Sequence, residues 1–301
     1  MTNFLIIGIC IIAGMLFRRS KTLPEDAHKG INAWLIYLAL PAVSFKYLPH
    51  VQWSSELLFP TIAPLIVCLG GWLFIQLYAS KTTLKKPTEG ALKLVTSLSN
   101  TSYIGFPLVM AYFSEADIAI AVICDQVTFL LLSTYGVVVA INSSKTQQLS
   151  PGVIIQKVFT FPPFLGCLAA LTIPRFMDIS ALTPLFDKLS LTVGPLALFS
   201  IGLQLQFEGW RSEIRNISMS LIYKLVIAPL LIIIIAIAFQ LKGRIIQISI
   251  FEMAMPSFLS ASVIANQYHL NTKLTNLIIG FSIVIGLGTT AIWYCVLQYF
   301  Q

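Results

Sequence analysis

Apolar residues fill ten stretches of the chain, approximately 3 to 17, 31 to 48, 57 to 79, 93 to 113, 118 to 140, 155 to 173, 185 to 206, 217 to 240, 245 to 267 and 274 to 299. Polar and basic residues gather between them. Most of these runs have about the 20 residues that an α-helix needs to cross a bilayer. The pattern predicts an all-α polytopic membrane protein with ten transmembrane spans. Two runs contain residues poorly suited to an unbroken helix: Ser99-Asn100-Thr101-Ser102-Tyr103-Ile104-Gly105-Phe106-Pro107-Leu108 in the fourth, and Glu252-Met253-Ala254-Met255-Pro256-Ser257-Phe258-Leu259-Ser260 in the ninth. Proline lacks an amide hydrogen and disfavours helical geometry in the residue before it, so the fourth span is expected to open around Tyr103 to Pro107, with Gly105 adding freedom. Irregular backbone at membrane depth persists only where protein or a cavity surrounds it, because lipid cannot satisfy freed amides and carbonyls. Each break therefore marks a candidate site.

The interruptions are spaced as in a duplicated chain. Pro107 and Pro256 are 149 residues apart, and Pro41 and Pro195 are 154 apart, each about half of the 301 residues. Matching interruptions in two halves point to a transporter whose binding site is built from discontinuous helices. Five spans per half is an odd number, so the second repeat, 145–301, would enter the membrane inverted relative to the first, 1–144. The polar connection near 141 to 154 is the expected linker.

A hydrophobic content of 57% with 10% charged residues and a mean hydropathy of +0.85 lie far outside the soluble globular range. Ten spans leave only short connections and no room for a soluble domain. The net charge of +7 reads as a topology signal rather than a nucleic-acid surface. With the chain start outside, Arg18, Arg19, Lys21, Lys29, Lys81, Lys85, Lys86, Lys93, Lys145, Lys157, Arg211, Arg215 and Lys273 fall on the cytoplasmic side. Arg175, Lys188, Lys242 and Arg244 fall opposite. The positive-inside rule then places both termini outside. The first run has no basic leader and ends in Arg18-Arg19, the reverse of a cleaved signal peptide, and reads as a retained helix. The five cysteines lack CxxC spacing and the three histidines are scattered, so packing roles are expected and neither a metal site nor a cofactor.

Ionisable residues within spans are costly and default to functional hypotheses. Asp125, Lys224 and Glu252 are the deepest. Lys224 is placed to reach a carboxylate if its helix neighbours theirs, and Asp125 or Glu252 is the candidate to take up a proton or cation coupled to substrate movement. A structural ion pair is the other reading. Asn100 offers two donors and an acceptor beside the first break, for a substrate carboxylate or for tying the half-helices together. Ser257 and Ser260 follow Pro256, where a new half-helix could present free amides to an anion, or could simply pack and back-bond. Lys46 is expected to snorkel, and Gly280, Gly286 and Gly288 to permit close helix packing.

SNTSYIGFPL at 99 to 108, GPLALFSIGLQL at 194 to 205 and EMAMPSFLSASVIANQYHLN at 252 to 271, in this order and with the ten-span pattern, make the chain resemble the auxin efflux carrier family of membrane transporters, including its bacterial members. The resemblance implies a fold similar to bile-acid sodium symporters and sodium/proton antiporters: two inverted five-helix repeats with spans 4 and 9 broken and crossing. It implies a scaffold of spans 1, 2, 6 and 7, a transport domain of spans 3–5 and 8–10, elevator-like alternating access and a homodimer in a bacterial inner membrane. Asn100, Pro107 and Pro256 map onto the family's crossover positions, and Thr101, Ser102, Gly105, Ser257 and Ser260 join them as candidate substrate contacts. Ser102 departs from the glycine many relatives have there. The short 141–154 connection departs from the long cytosolic loop of many plant carriers.

The expected activity is secondary transport of a small organic anion, a carboxylate or dicarboxylate, with proton or sodium coupling left open. A sodium-coupled symporter of the bile-acid type is the near alternative, and a non-transporting receptor a more distant one. An intramembrane enzyme is disfavoured by the absence of HExxH and GxSxG motifs.

Overall fold

The computed structural model describes residues 2–51, 54–144, 152, 156 and 159–300. They form twelve helices. Seven are long and apolar enough to cross a membrane: α1 (Thr2–Arg19), α2 (Ala27–His50), α3 (Ser55–Ser80), α6 (Glu115–Ser143), α8 (Ser180–Gln204), α9 (Trp210–Ala238) and α12 (Thr272–Leu297). Four are half-length and come in two consecutive pairs, α4 (Lys86–Ser97) with α5 (Phe106–Tyr112), and α10 (Arg244–Met253) with α11 (Ala261–Gln267). These pairs occupy the fourth and ninth apolar runs. The remaining helix is α7 (Pro162–Thr172). The start of the sixth apolar run, the junction at 144/145, Lys145 and Lys157 lie outside the described residues.

Three prolines within the helices widen them rather than break them. A proline removes one i→i−4 hydrogen bond and its ring crowds the carbonyl four residues back. The chain responds with single π-turns at Leu35–Ala39, Thr101–Gly105 and Tyr223–Ile227, each ending two residues before a proline, at Pro41, Pro107 and Pro229 respectively. Such π-bulges relieve the clash while helical direction continues. The expectation that Pro107 opens the fourth span at Tyr103 to Pro107 is therefore corrected. The non-helical stretch lies upstream, at Leu98 to Asn100, while the chain is continuously helical from Thr101 through Tyr112 and the π-turn at Thr101–Gly105 absorbs the bond that Pro107 cannot make.

Contacts between helix ends define two ends of the bundle. At one, the Arg18 guanidinium donates to the Leu203 and Leu205 carbonyls at the end of α8 (2.9 and 3.3 Å). Tyr78 of α3 donates to Asn216 of α9 (2.9 Å), and the Asn271 amide at the start of α12 donates to the Pro87 carbonyl in α4. At the other end, Asn3 donates to the Met110 carbonyl (2.8 Å), Arg244 pairs with Asp117 (2.7 Å), and Gln247 donates to the Leu297 carbonyl (2.9 Å). α1 and α8 run against each other at backbone distance. A β-carbon on Gly14 would stand 2.8 Å from the Gly202 α-carbon, and one on Gly202 would stand 2.9 Å from the Gly14 α-carbon. Small residues at such a crossing let dispersion contacts form where lipid offers no hydrophobic drive. Of the glycines expected to permit packing in the last span, Gly286 faces Pro256 and Gly280 faces Phe207, while Gly288 meets nothing within 4 Å.

Candidate functional site

The two breaks meet each other. Leu98 leaves α4 in extended geometry, and Ser99 forms an isolated antiparallel bridge with Ser257. The Asn100 amide donates to the Pro256 carbonyl (2.8 Å) and the Phe258 amide donates to the Leu98 carbonyl (3.0 Å). Each interruption thus satisfies backbone groups of the other, which is how non-helical chain is accommodated at this depth. The Asn100 side chain restarts its own segment by accepting from the Tyr103 amide (3.2 Å), as an N-cap does, while its backbone carbonyl accepts from Gly105 (3.0 Å). The Ser257 amide donates to the Ser282 hydroxyl on α12 (3.1 Å), and the Pro256 ring packs on Gly286, where a β-carbon would come within 2.6 Å of it.

Asp125, Lys224 and Glu252 surround this crossing, each fully buried at 0% exposure. Asp125, on α6, accepts from the Thr101 hydroxyl (2.7 Å). Lys224, in the π-turn of α9, donates to the Ser99 hydroxyl. The expected Lys224–carboxylate contact is not formed: the ion pairs among the described residues are Lys29–Asp26, Lys46 with Glu115 and Asp187, Lys86 and Lys93 with Glu89, and Arg244–Asp117. The π-turn that accommodates Pro229 sets the direction of Lys224, and this direction is not legible from its depth in the span. Glu252 lies at the end of α10 against Gly105, so close that a β-carbon there would stand 2.5 and 2.7 Å from its two carboxylate oxygens. Gly105 therefore serves by what it lacks rather than by flexibility, since its backbone is ordinary right-handed helix.

Buried polar atoms without partners concentrate here. Among the described residues they are Asn100 Nδ2, Ser102 Oγ, Tyr103 OH, Asp125 Oδ2, Gln126 Oε1, both Glu252 carboxylate oxygens and Ser257 Oγ. Each such group typically costs about 1–3 kcal/mol, and more when charged. Tyr103, Gln126 and Ser99 were not singled out in the sequence, although two of them stand within the interrupted motif. Ser282 is one serine in an apolar run and carries no local signal. Two predicted residues fall away from the crossing. Pro107 faces Gly194 of α8, and Ser260 precedes α11 without capping it. Lys46, expected to snorkel, instead pairs with Glu115 and Asp187.

A cavity lies on each side of the crossing. One, of about 960 Å³, opens at the Arg18 end and includes Leu259 and Ser262 on its wall; the other, of about 320 Å³, opens at the Asn3 end and includes Pro107. Residues of α1, α2 and α8 line both. Facing them are α11 and α12 in the first cavity, and α5 with the start of α6 in the second. Corresponding second halves of the two broken segments thus face opposite openings. The rim at the Arg18 end is basic, with Arg18, Lys21, His28 and Lys29 against Glu25. Among the described residues, no cluster of His, Cys, Asp and Glu is arranged to hold a metal ion.

Two interrupted helices that cross at mid-bundle between oppositely directed cavities define the architecture of a membrane transporter. The family profile described as "Membrane transport protein" matches the chain twice, over residues 1–158 and 152–294. The chain belongs to this family, that of the auxin efflux carriers, and the two matched segments point to an internal duplication. It is similar to an uncharacterised transporter of Methanocaldococcus jannaschii, 25% identical over 298 residues that cover 96% of both chains. The uncharacterised transporter YfdV of Escherichia coli is 21% identical over 310 residues, covering 97% of this chain and 95% of that one. A Rhizobium meliloti protein named "Putative malonate transporter" is 23% identical over 271 residues, covering 86% of this chain and 83% of its own.

Proposed function

We propose that this protein is a secondary transporter that carries a small carboxylate, with a dicarboxylate favoured, by elevator-like alternating access. The observation that carries the reading is the crossing itself, where Asn100, Ser102 and Ser257 hold unpartnered buried polar atoms at the point where the two non-helical segments pair with each other, between the two cavities. The amide nitrogen of Asn100 and the two hydroxyls are hydrogen-bond donors suited to a carboxylate. The basic rim at the Arg18 end would raise the local anion concentration. The name of the Rhizobium relative supports a dicarboxylate of three-carbon size.

In this reading α1, α2, α7 and α8 form the scaffold, and α3 to α6 with α9 to α12 form the moving unit. This corresponds to two inverted five-span repeats, ten spans in all, of the bile-acid symporter and sodium/proton antiporter type. A homodimer in a bacterial inner membrane, with both termini outside, completes the proposal; bacterial relatives of nearly full coverage support the location. Asp125 and Glu252 are the groups proposed to take up a coupling proton. Their three unpartnered carboxylate oxygens also favour a second reading, a sodium-coupled symporter, because hard cations select such ligands. The amine of Lys224 at Ser99 weighs against it, because in its protonated form it would take the place of a bound cation.

The test is tracer uptake into proteoliposomes across a panel of small carboxylates, malonate included, with and without imposed proton and sodium gradients. Saturable uptake that falls at least about tenfold in Asn100→Ala supports the reading, and gradient dependence separates the two couplings. Uptake that is unchanged in Asn100→Ala would move the substrate away from the crossing.

A further inference from the structure

At the Asn3 end, the wall formed by α1, α2 and α8 is tied to the opposing elements by polar contacts around the rim of the smaller cavity. Asn3 donates to the Met110 carbonyl (2.8 Å), Lys46 donates to Glu115 Oε1 (2.8 Å), and the Tyr47 hydroxyl donates to the same oxygen (3.1 Å). Lys46 also pairs with Asp187 Oδ1 at 3.2 Å. The two carboxylates differ in where they are attached. Asp187 is on α8, the same wall as Lys46, whereas Glu115 begins α6 on the facing wall. Arg244 and Asp117 form a similar pair nearby, but neither belongs to the α1, α2 and α8 wall, so that pair does not span the cavity.

We propose that Lys46, Glu115 and Asp187 form the gate of the Asn3-side vestibule, in which Glu115 is the partner released on opening and Asp187 the partner that Lys46 retains. The inference rests on the alternating-access reading above. The Lys46 side chain is only 17% exposed, so an ammonium stripped of both partners would be strongly disfavoured. Two partners remove that obstacle. Glu115 is 62% exposed and is already largely hydrated, so its release requires little further desolvation of any charge. With its carboxylate this exposed, the Lys46–Glu115 contact is screened by water and weaker than a pair of two buried charges, which suits a contact that must break in every cycle. Tyr47 adds a hydrogen bond to the same carboxylate and Asn3 a neutral one to the Met110 carbonyl across the same gap, so closure depends on several small terms.

The experiment uses thiol labelling in nanodiscs with a charged maleimide, in a background carrying Cys10→Ala and Cys295→Ala, which leaves only the buried Cys68, Cys124 and Cys167. Ser190→Cys reports the Asn3-side cavity and Asn276→Cys the Arg18-side cavity. Glu115→Gln, which keeps the acceptor for Tyr47 but removes the charge, is expected to speed labelling at Ser190→Cys by about two- to five-fold and to slow it at Asn276→Cys. Asp187→Asn is expected to do the opposite, because opening would then leave Lys46 without its retained partner. Opposite signs support the gate. No change at either reporter, or shifts of the same sign in both variants, would overturn it, since a merely structural cluster responds alike to the loss of either carboxylate. The readout needs no substrate: if the signs are opposite but the carboxylate panel is not carried, the gate stands and the substrate assignment falls.

Discussion

The two interruptions of the bundle are made differently, although they meet across one bridge. The first, between α4 and α5, is short and promptly rewound. Asn100 caps the chain within three residues, a π-turn follows, and the proline of the motif lies beyond the break. The second, between α10 and α11, stays non-helical from Ala254 to Ser260, contains its proline, and is held from outside by Ser282 and Gly286 of α12. The charges divide accordingly. Lys224 and Asp125 bond to the first break through Ser99 and Thr101, while Glu252 reaches it from the helix preceding the second. The first interruption is therefore organised by its own polar side chains, and the second by shape and by a neighbouring helix.

That contrast can be broken by substitutions, and the largest effects are expected at the first interruption. Lys224→Met removes a buried amine while conserving most of the side-chain volume. Relief of the cost of burying an amine that has no carboxylate partner offsets the lost contact to Ser99, so thermal stability in detergent should hold while uptake falls at least about tenfold; unchanged uptake would remove Lys224 from the working site. Gly105→Ala should also act on function. The new methyl meets the flexible end of Glu252, which must swing aside, so uptake should drop several-fold with a melting shift smaller than that of the next variant. Gly286→Ala meets the rigid Pro256 ring instead. Overpacking there should cost about 1–3 kcal/mol, measured as a lower melting temperature, and a stable Gly286→Ala would break the claim that shape holds the second interruption. Ser282→Ala, which removes the acceptor of the Ser257 amide, should cost about 1 kcal/mol by the same assay, the smallest of the four effects.

Legibility followed the same division. The first motif announced itself through Asn100, Thr101 and Ser102 in an apolar run, and all three are at the crossing. Pro107 suggested a break at the wrong place, because the π-turn before it takes up the missing hydrogen bond and lets the helix run on from Thr101 to Tyr112. Lys46 was read as a snorkelling side chain because its span end was visible, whereas Glu115 and Asp187 are distant in sequence and reach it only in the folded bundle. Gly105 drew attention for flexibility, yet its contribution is the space it leaves for Glu252, a residue 147 positions later (252 − 105).

By itself the sequence determined that this chain lives in a membrane, that it crosses many times, and that its two halves echo each other with an interruption in each. Those properties follow from the length and periodicity of apolar runs and from where proline, glycine and amides fall, all of which are local. Tertiary structure alone decided which polar groups meet. The Ser99–Ser257 bridge, the turn of Lys224 toward Ser99 rather than toward a carboxylate, and the placement of Glu252 beside Gly105 depend on helix crossing and rotation. In a bundle whose surfaces are almost uniformly apolar, those angles are set by close packing at a few small residues such as Gly14, Gly202 and Gly286, and no single run of residues carries that information.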